Sequence, residues 1–241
     1  MEEKIQRTTA DLRKTEAQLI RSEKLAALGQ LAAGIAHEIR NPLTSINILI
    51  HSLTENFPSE NTHREDLQVI EEEIRRINEI VDQFLRFAKP ASPLFEKTNL
   101  IPIFEEILQL LRPQIERGKI KVKKEFEPLP LITVDKEQVK QVILNLLLNA
   151  VQAMPKSGHL ILRGQIPEND RWINLSIQDS GAGIPGEDMD KLFDPFFSTK
   201  EGGIGLGLSI AHRIIDQHHG KIEVESTPGR GTLFTVWLPI S

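Results

Sequence analysis

The chain has 241 residues, 39% of them hydrophobic and 26% charged, with a formal net charge of -5. That size supports a sizeable core and one or two domains, and the composition excludes a disordered tail and argues against a nucleic-acid binder that works by bulk positive charge. The absence of cysteine excludes a disulfide framework, a thiolate metal site and a cysteine nucleophile, in keeping with a reducing, cytoplasmic compartment.

No apolar run reaches the length of a membrane span, and the start Met1-Glu2-Glu3-Lys4 lacks a signal peptide's basic start and apolar stretch. Membrane attachment is therefore expected only through a region preceding this chain. From Glu2 to about Arg21 there is no Gly or Pro, and Ile5, Leu12, Leu19 and Ala26 recur every seven residues, as a coiled-coil seam would. Thr9, Glu16 and Glu23 interrupt that seam with polar residues. Residues 1–24 are read as a signalling helix or coiled-coil linker that extends a stronger helical assembly, the plain alternative being a solvated charged helix.

The run from Leu31 to Leu43 carries His37-Glu38 on a helical pattern, a nucleophile beside a proton acceptor. At about 100° per residue, Leu28, Leu31, Ile35, Ile39, Ile46, Leu49 and Leu53 share one stripe, with Pro42 among them, and His37 falls opposite. Leu67, Ile70, Ile74, Ile77, Val81 and Phe84 alternate steps of three and four and predict a second helix. Asn56 to Asn61 supplies turn residues between them, so residues 25–90 are expected to form an all-α helical hairpin. One hairpin encloses little core, and two from two chains would make a dimeric four-helix bundle. Lys89-Pro90-Ala91-Ser92-Pro93 ends the helix and marks the boundary to residues 91–241.

Beyond that boundary the pattern is mixed. Helices are expected near 101–116, 136–154 and 205–218, and strands near 119–126, 159–165, 172–178, 221–226 and 232–238. That order suits an α/β sandwich, a mixed sheet with helices on one face. Within 136–154, Gln138, Gln141, Asn145, Asn149 and Gln152 share an arc of about 80°, while apolar residues fill the rest. Exposed faces usually carry Lys and Glu, so an amide stripe points to a polar cleft whose oxygens can accept hydrogen bonds or meet a hard cation such as Mg²⁺.

Asp179-Ser180-Gly181-Ala182-Gly183 follows a strand, Phe193-Asp194-Pro195-Phe196-Phe197 comes next, and Gly203-Ile204-Gly205-Leu206-Gly207 opens a helix. Two glycine clusters around an aromatic patch read as a hinged lid, and helix-opening glycines leave N–H groups for phosphate. Asp179 is suited to accept a hydrogen bond from an amine such as the exocyclic nitrogen of adenine. Gly181 to Gly186 also fits GxGxxG, but no helix follows directly, so the dinucleotide fingerprint is rejected. His37-Glu38-Ile39-Arg40-Asn41 lacks the second histidine of a HExxH metalloprotease.

Together these motifs resemble the catalytic core of the sensor histidine kinases of two-component signalling, from about Ser22 to the end. His37 to Leu43 resembles the H box, Asn145 to Asn149 the N box, Asp179 to Gly183 the first glycine box, Phe193 to Phe197 the F box and Gly203 to Gly207 the second. Asn41 before Pro42, with Ser198-Thr199-Lys200 closing the lid, is most similar to the nitrogen-regulation type. The resemblance implies a dimerisation and phosphotransfer domain at 25–90 and a catalytic ATP-binding domain of the gyrase, chaperone and histidine kinase type at 91–241. It implies that His37 takes the γ-phosphoryl group of ATP, that Glu38 orients the imidazole and accepts its proton, and that Asn41 helps a phosphatase activity on the partner.

The same resemblance implies that Asn149 coordinates Mg²⁺, that Asp179 binds adenine, and that Asn145, Gly181, Gly183, Gly203, Gly205 and Gly207 shape the nucleotide site. The implied partners are a second copy of the chain and the receiver domain of a response regulator, whose aspartate takes the phosphoryl group; no nucleic acid is implied. The chain departs from many relatives in lacking a basic residue just after Asn149, which leaves Lys200 and Arg213 to neutralise phosphate. Two rivals share the ATP-binding fold. A gyrase-type or chaperone ATPase would need a glutamate at the Asn145 position to activate water, and a nonenzymatic ATP-binding scaffold would be expected to lose His37, Asn149 or Asp179.

Overall fold

A computed structural model describes residues 92–167, 171–200 and 205–240, together with Ile39, Leu43, Thr44, residues 46–48, Ile50, His51, Leu67, Val69, Ile70, Ile74, Arg75, Ile77, Asn78 and Val81. The chain divides into two compact units, Met1–Ala91 and Ser92–Ser241. Among the described residues, no helix is long and apolar enough to cross a membrane.

In the first unit every described residue is helical. Leu43, Ile50 and Ile74 form a buried cluster against which Leu67 and Ile77 pack, and Val81 is also buried. The stripe expected to face the core differs in detail: Ile39 and Ile46 are exposed at 38% and 43%, while Leu43 and Ile50 are buried. Ile46 and Ile50 lie four residues and about 40° apart, so the apolar surface is wide enough to serve two neighbours. A single chain covers only the Leu43 side. Ile70, on the second helical segment, is likewise exposed at 43%. The expectations for residues 1–38, including His37 and Glu38, and for Asn41 lie outside the described residues.

The second unit runs β1 (Glu96–Thr98), α1 (Ile101–Arg117), β2 (Ile120–Phe126), β3 (Ile132–Val134), α2 (Lys136–Ala153), β4 (Gly158–Gln165), β5 (Trp172–Asp179), a 3₁₀ turn (Gly186–Lys191), α3 (Gly207–Gln217), β6 (Lys221–Thr227) and β7 (Gly231–Pro239). Five strands form one sheet in the order β2-β4-β5-β7-β6. The β2–β4 pair is parallel and the other pairs are antiparallel, so the sheet is mixed. A parallel pair needs a long crossover, and α2 supplies it. The strands β1 and β3 form a separate antiparallel pair. These two, and the 3₁₀ turn, go beyond the elements expected from the sequence.

Strand alternation builds one core face. Ile173, Leu175 and Ile177 of β5 pair with Leu238, Val236 and Phe234 of β7, and all six are buried. Against that face lie Ile103, Phe104, Ile107 and Leu111 of α1, Val142, Ile143, Leu146 and Leu147 of α2 and Ile210, Ala211, Ile214 and Ile215 of α3. The opposite face carries polar pairs: Arg163 bonds to Glu125 at 2.6 Å and the Trp237 indole donates to Glu223 at 2.8 Å.

Helix ends are fixed locally. Pro102 sits in the first turn of α1, where a missing N–H costs nothing. Asp135 caps α2, its side chain accepting from the Gln138 N–H at 2.9 Å, the ordinary N-cap bond. Its other carboxylate oxygen accepts from the Leu94 N–H at 2.7 Å. The buried His218, just after α3, accepts at Nε2 from the Asp135 N–H at 2.9 Å. Its Nδ1 therefore carries the proton and donates to the Ile214 carbonyl at 2.8 Å, and Phe95 packs edge-on against the ring. One junction thus ties the start of this unit to α2 and α3.

Candidate functional site

The site forms where α2, the end of β5 and the start of α3 meet. Along α2 the amide stripe is half-buried at Asn145 and Asn149 and exposed at Gln152. The Asn145 side-chain N–H donates to the Gly207 carbonyl at 3.0 Å, tying the helix to the first turn of α3. One turn on, the Lys200 ammonium donates to Asn149 Oδ1 and to Gln152 Oε1, both at 2.7 Å. Partial burial pushes the Lys200 ammonium below its ordinary pKa, while the charge of Asp179 opposes the shift.

Asp179 ends β5 and is 5% exposed. Its Oδ1 accepts from the Gly181 N–H at 2.7 Å. Burial raises its pKa above the ordinary carboxylate value, against the lowering effects of the Gly181 and Thr232 backbone bonds and of Lys200. A carboxyl held this way is a fixed acceptor in a dry place, suited to recognise a donor.

The glycines surround this carboxyl for different reasons. A Cβ on Gly181 would lie 2.7 Å from the Ala153 carbonyl oxygen and 2.8 Å from Asp179 Oδ1. Gly183 has φ of +72° and a Cβ there would sit 2.2 Å from the Thr227 carbonyl oxygen, so the loop packs directly on the β6–β7 hairpin. Ser226 completes that support: its hydroxyl accepts from the Ile184 N–H at 2.8 Å and donates to the Gly231 carbonyl at 3.0 Å.

Gly205 accepts from the Phe196 N–H at 3.1 Å, which joins the aromatic patch to the second glycine cluster. Phe193 of that patch packs on His212 of α3, ring centroids 5.1 Å apart. Gly207 leaves room beside Asn145, whose nearest side-chain atom would lie 3.7 Å from a Cβ at that position. Gly203 lies outside the described residues. Arg213 is on α3, where burial lowers the pKa of its guanidinium.

The geometry thus gathers Asn145, Asn149, Asp179, Gly181, Gly183, Lys200, Gly205 and Gly207 into one region of the second unit. Three further residues contribute to the site, one foreshadowed by the amide stripe and two with no sequence signal. Gln152 was visible as part of the amide stripe, but its share of the Lys200 ammonium depends on where residues 198–200 fold back. Ser226 and Thr232 brace the Asp179 loop from the β6–β7 hairpin, and no local motif marks them.

Residues 27–93 match the family described as the His Kinase A (phospho-acceptor) domain. Residues 134–241 match the family of histidine kinase-, DNA gyrase B- and HSP90-like ATPases. The catalytic domain of histidine kinase ThkA is 33% identical, with 61% of this chain and 96% of that one covered and a TM-score of 0.56. The chain belongs to the histidine kinase family. A second ThkA structure, of the kinase in complex with response regulator protein TrrA, shares 31% identity over 96% of this chain and 67% of that one, with a TM-score of 0.67. Sensor histidine kinase ZraS of Escherichia coli (strain K12) is 39% identical over 92% of this chain and 47% of its own length. This histidine kinase chain accordingly spans about half the length of the curated relatives it matches.

Within the family's frame, Asn145 to Asn149 lies on α2, Asp179 to Gly183 at the end of β5, Phe193 to Phe197 before α3, and Gly207 at its first turn. Among the described residues, no group of three His, Cys, Asp or Glu is arranged to hold a metal ion. A hard cation held by an amide oxygen and by the oxygens of a phosphate substrate needs no such group. Asn149 Oδ1 already accepts a cation, the Lys200 ammonium, so the donor chemistry fits.

Proposed function

We propose that this chain uses ATP to phosphorylate His37 and passes the phosphoryl group to an aspartate in the receiver domain of a response regulator. The observation that carries the reading is the convergence of Asp179, Asn149, Lys200 and the glycine loops on α2, in a chain whose other part matches a phospho-acceptor domain. The buried Asp179 carboxyl serves the adenine amine, and the amides of Asn145 and Asn149 with the glycine loops frame the phosphates. Asn149 would hold Mg²⁺, which supplies charge neutralisation on the phosphate oxygens when bound.

In the transfer, a ring nitrogen of His37 forms the P–N bond as the bond from the γ-phosphorus to the bridging oxygen breaks, and ADP leaves. A histidine of unperturbed pKa near 6.5 is largely neutral and nucleophilic at pH 7. Glu38 orients the ring and takes the proton from its other nitrogen. The phosphoimidazole then passes its phosphoryl group to an aspartate carboxylate. By resemblance, Asn41 places water for the reverse function, removal of phosphate from that aspartate.

Residues 1–24 act as a signalling helix, 25–90 as the dimerisation and phosphotransfer domain and 91–241 as the ATP-binding domain. A homodimer is supported by the exposure of Ile39, Ile46 and Ile70 in a single chain, which a second hairpin would cover. A kinase solved with a response regulator among the similar structures supports the receiver domain as partner. The chain works on the cytoplasmic side, where ATP is available. Incubation of the chain with γ-labelled ATP and Mg²⁺ is expected to give an acid-labile label that disappears in His37→Gln. Absence of label on the wild type, or its persistence in the variant, refutes the proposal.

A further inference from the structure

The Lys200 ammonium is bonded to two neutral amide oxygens, Asn149 Oδ1 and Gln152 Oε1, each at 2.7 Å. Among the described residues no carboxylate forms an ion pair with it. Asn149 and Gln152 are three residues apart and so present their oxygens from one face of α2. This is an unusual place for a lysine. Surface ammonium groups pair with carboxylates or water, whereas two convergent amide oxygens are the ligand type of a hard metal cation.

We infer that Asn149 and Gln152 together form a divalent-cation site whose resident cation is the Lys200 ammonium, and that Mg·nucleotide binding exchanges the one for the other. The inference rests on the nucleotide-binding reading above and adds Gln152 and the exchange to it. A divalent ion on Asn149 Oδ1 would stand about 2.1 Å from that oxygen, and so about 4 Å from an ammonium bonded to the other lone pair of the same trigonal oxygen. Two cations that close repel modestly in water and several-fold more at the lower effective dielectric of a partly buried site. The ammonium must therefore leave the amides when the metal arrives. The incoming polyphosphate offers it anionic oxygens, a stronger acceptor than a neutral amide.

Lys200 thus has two stations, the amides while the metal is absent and the phosphate once the metal has taken Asn149 and Gln152. This satisfies the need for a basic group near the phosphates although none follows Asn149 in the sequence. It also gives metal entry a cost that depends on one side chain. Removing the ammonium should make the metal bind more readily, and a different cationic side chain should preserve the competition.

The test follows Mn²⁺ as the metal probe, by the electron paramagnetic resonance signal of the free ion, on the full 241-residue chain with a saturating non-hydrolysable ATP analogue. Nucleotide occupancy is measured separately by equilibrium dialysis. Lys200→Met is expected to lower the half-saturating Mn²⁺ concentration by about 5- to 30-fold, the usual size of a coupling between sites, and Lys200→Arg to stay near wild type. Adding Gln152→Leu to Lys200→Met should raise the concentration again. A Lys200→Met midpoint equal to or above wild type, with nucleotide still bound, overturns the exchange while leaving the nucleotide reading intact. A double variant that behaves as Lys200→Met overturns the assignment of Gln152. Failure of the wild type to bind the nucleotide at all overturns the nucleotide reading and this inference with it.

Discussion

Gly183→Ala should destabilise the second unit heavily, while Gly186→Ala, three residues on in the same glycine run, should be nearly silent. Gly183 has φ of +72° and a Cβ there would lie 2.2 Å from the Thr227 carbonyl oxygen. The left-handed conformation costs an alanine about 1–2 kcal/mol. The contact is about 1 Å short of van der Waals distance, and the obstacle is backbone, so relieving it costs about 1–3 kcal/mol more by the measure of overpacked cores. The sum, about 2–5 kcal/mol, is a large part of a domain's usual stability of about 5–15 kcal/mol. At Gly186 a Cβ meets nothing within 4 Å and φ is not in the left-handed region, so its effect should stay within about 0.5 kcal/mol. The chain's two tryptophans, Trp172 and Trp237, both lie in this unit, and their fluorescence reports urea unfolding directly. With a slope of about 2 kcal/mol per molar urea, the Gly183→Ala midpoint should fall by about 1–2.5 M. A Gly183→Ala midpoint within about 0.3 M of wild type, or an equal loss in Gly186→Ala, would refute the reasoning.

Asp179→Asn should weaken adenine-nucleotide binding by about one to two powers of ten, the worth of a hydrogen bond to a charged group, yet raise the melting temperature at pH 7 without nucleotide. Burial holds the folded pKa of Asp179 above its unfolded value, so the ionised carboxylate costs stability above that raised pKa, and the cost is relieved as pH falls through it towards the unfolded value. The advantage of the Asn variant should therefore shrink as the pH is lowered towards 4, and a variant less stable at pH 7 counts against this account. His218→Ala should cost about 2–4 kcal/mol, because it empties a buried site and leaves the Asp135 N–H without its acceptor. A change in the urea midpoint corresponding to less than about 1 kcal/mol would show that water replaces the ring.

Most of the second unit is legible from periodicity and turn chemistry. The expected strand at 119–126 is found at Ile120–Phe126 and the expected helix at 136–154 at Lys136–Ala153, because alternation and helical spacing are local signals. The pair β1 and β3, three residues each, carries too short a pattern to be read and exists through pairing across the intervening helix. The start of α3 shifts from Gly205 to Gly207 because Gly205, at φ of +73°, is outside helical geometry. The stripe through Ile39 and Ile46 shows the limit of helical-wheel reasoning: a wheel identifies an apolar face but not which neighbour covers each part of it. The amide stripe is readable as a cleft wall, while its partners Lys200 and Gly207 lie 51 and 62 residues away from Asn149 and Asn145 and could be found only through tertiary structure.

The position of Asn145 bears on what kind of ATPase this fold supports. In the rival reading a glutamate there would activate water, and its carboxylate would have to point into the cleft. Here the side-chain N–H of Asn145 donates to the Gly207 carbonyl, a bond that a carboxylate cannot make because it has no proton to give. A glutamate at this place would set its charge against a carbonyl oxygen, and the join between α2 and the first turn of α3 would be lost. The helix cannot turn to relieve it, because Val142, Ile143, Leu146 and Leu147 are buried on its other side and Asp135 fixes its start through Gln138 and Leu94. The amide holds the first turn of α3 to the helix that carries Asn149, and on the proposed function it would also withhold a general base from the phosphates. On the proposed function, a site built this way would favour transfer to a positioned acceptor over hydrolysis, the chemistry that phosphorylation of His37 requires.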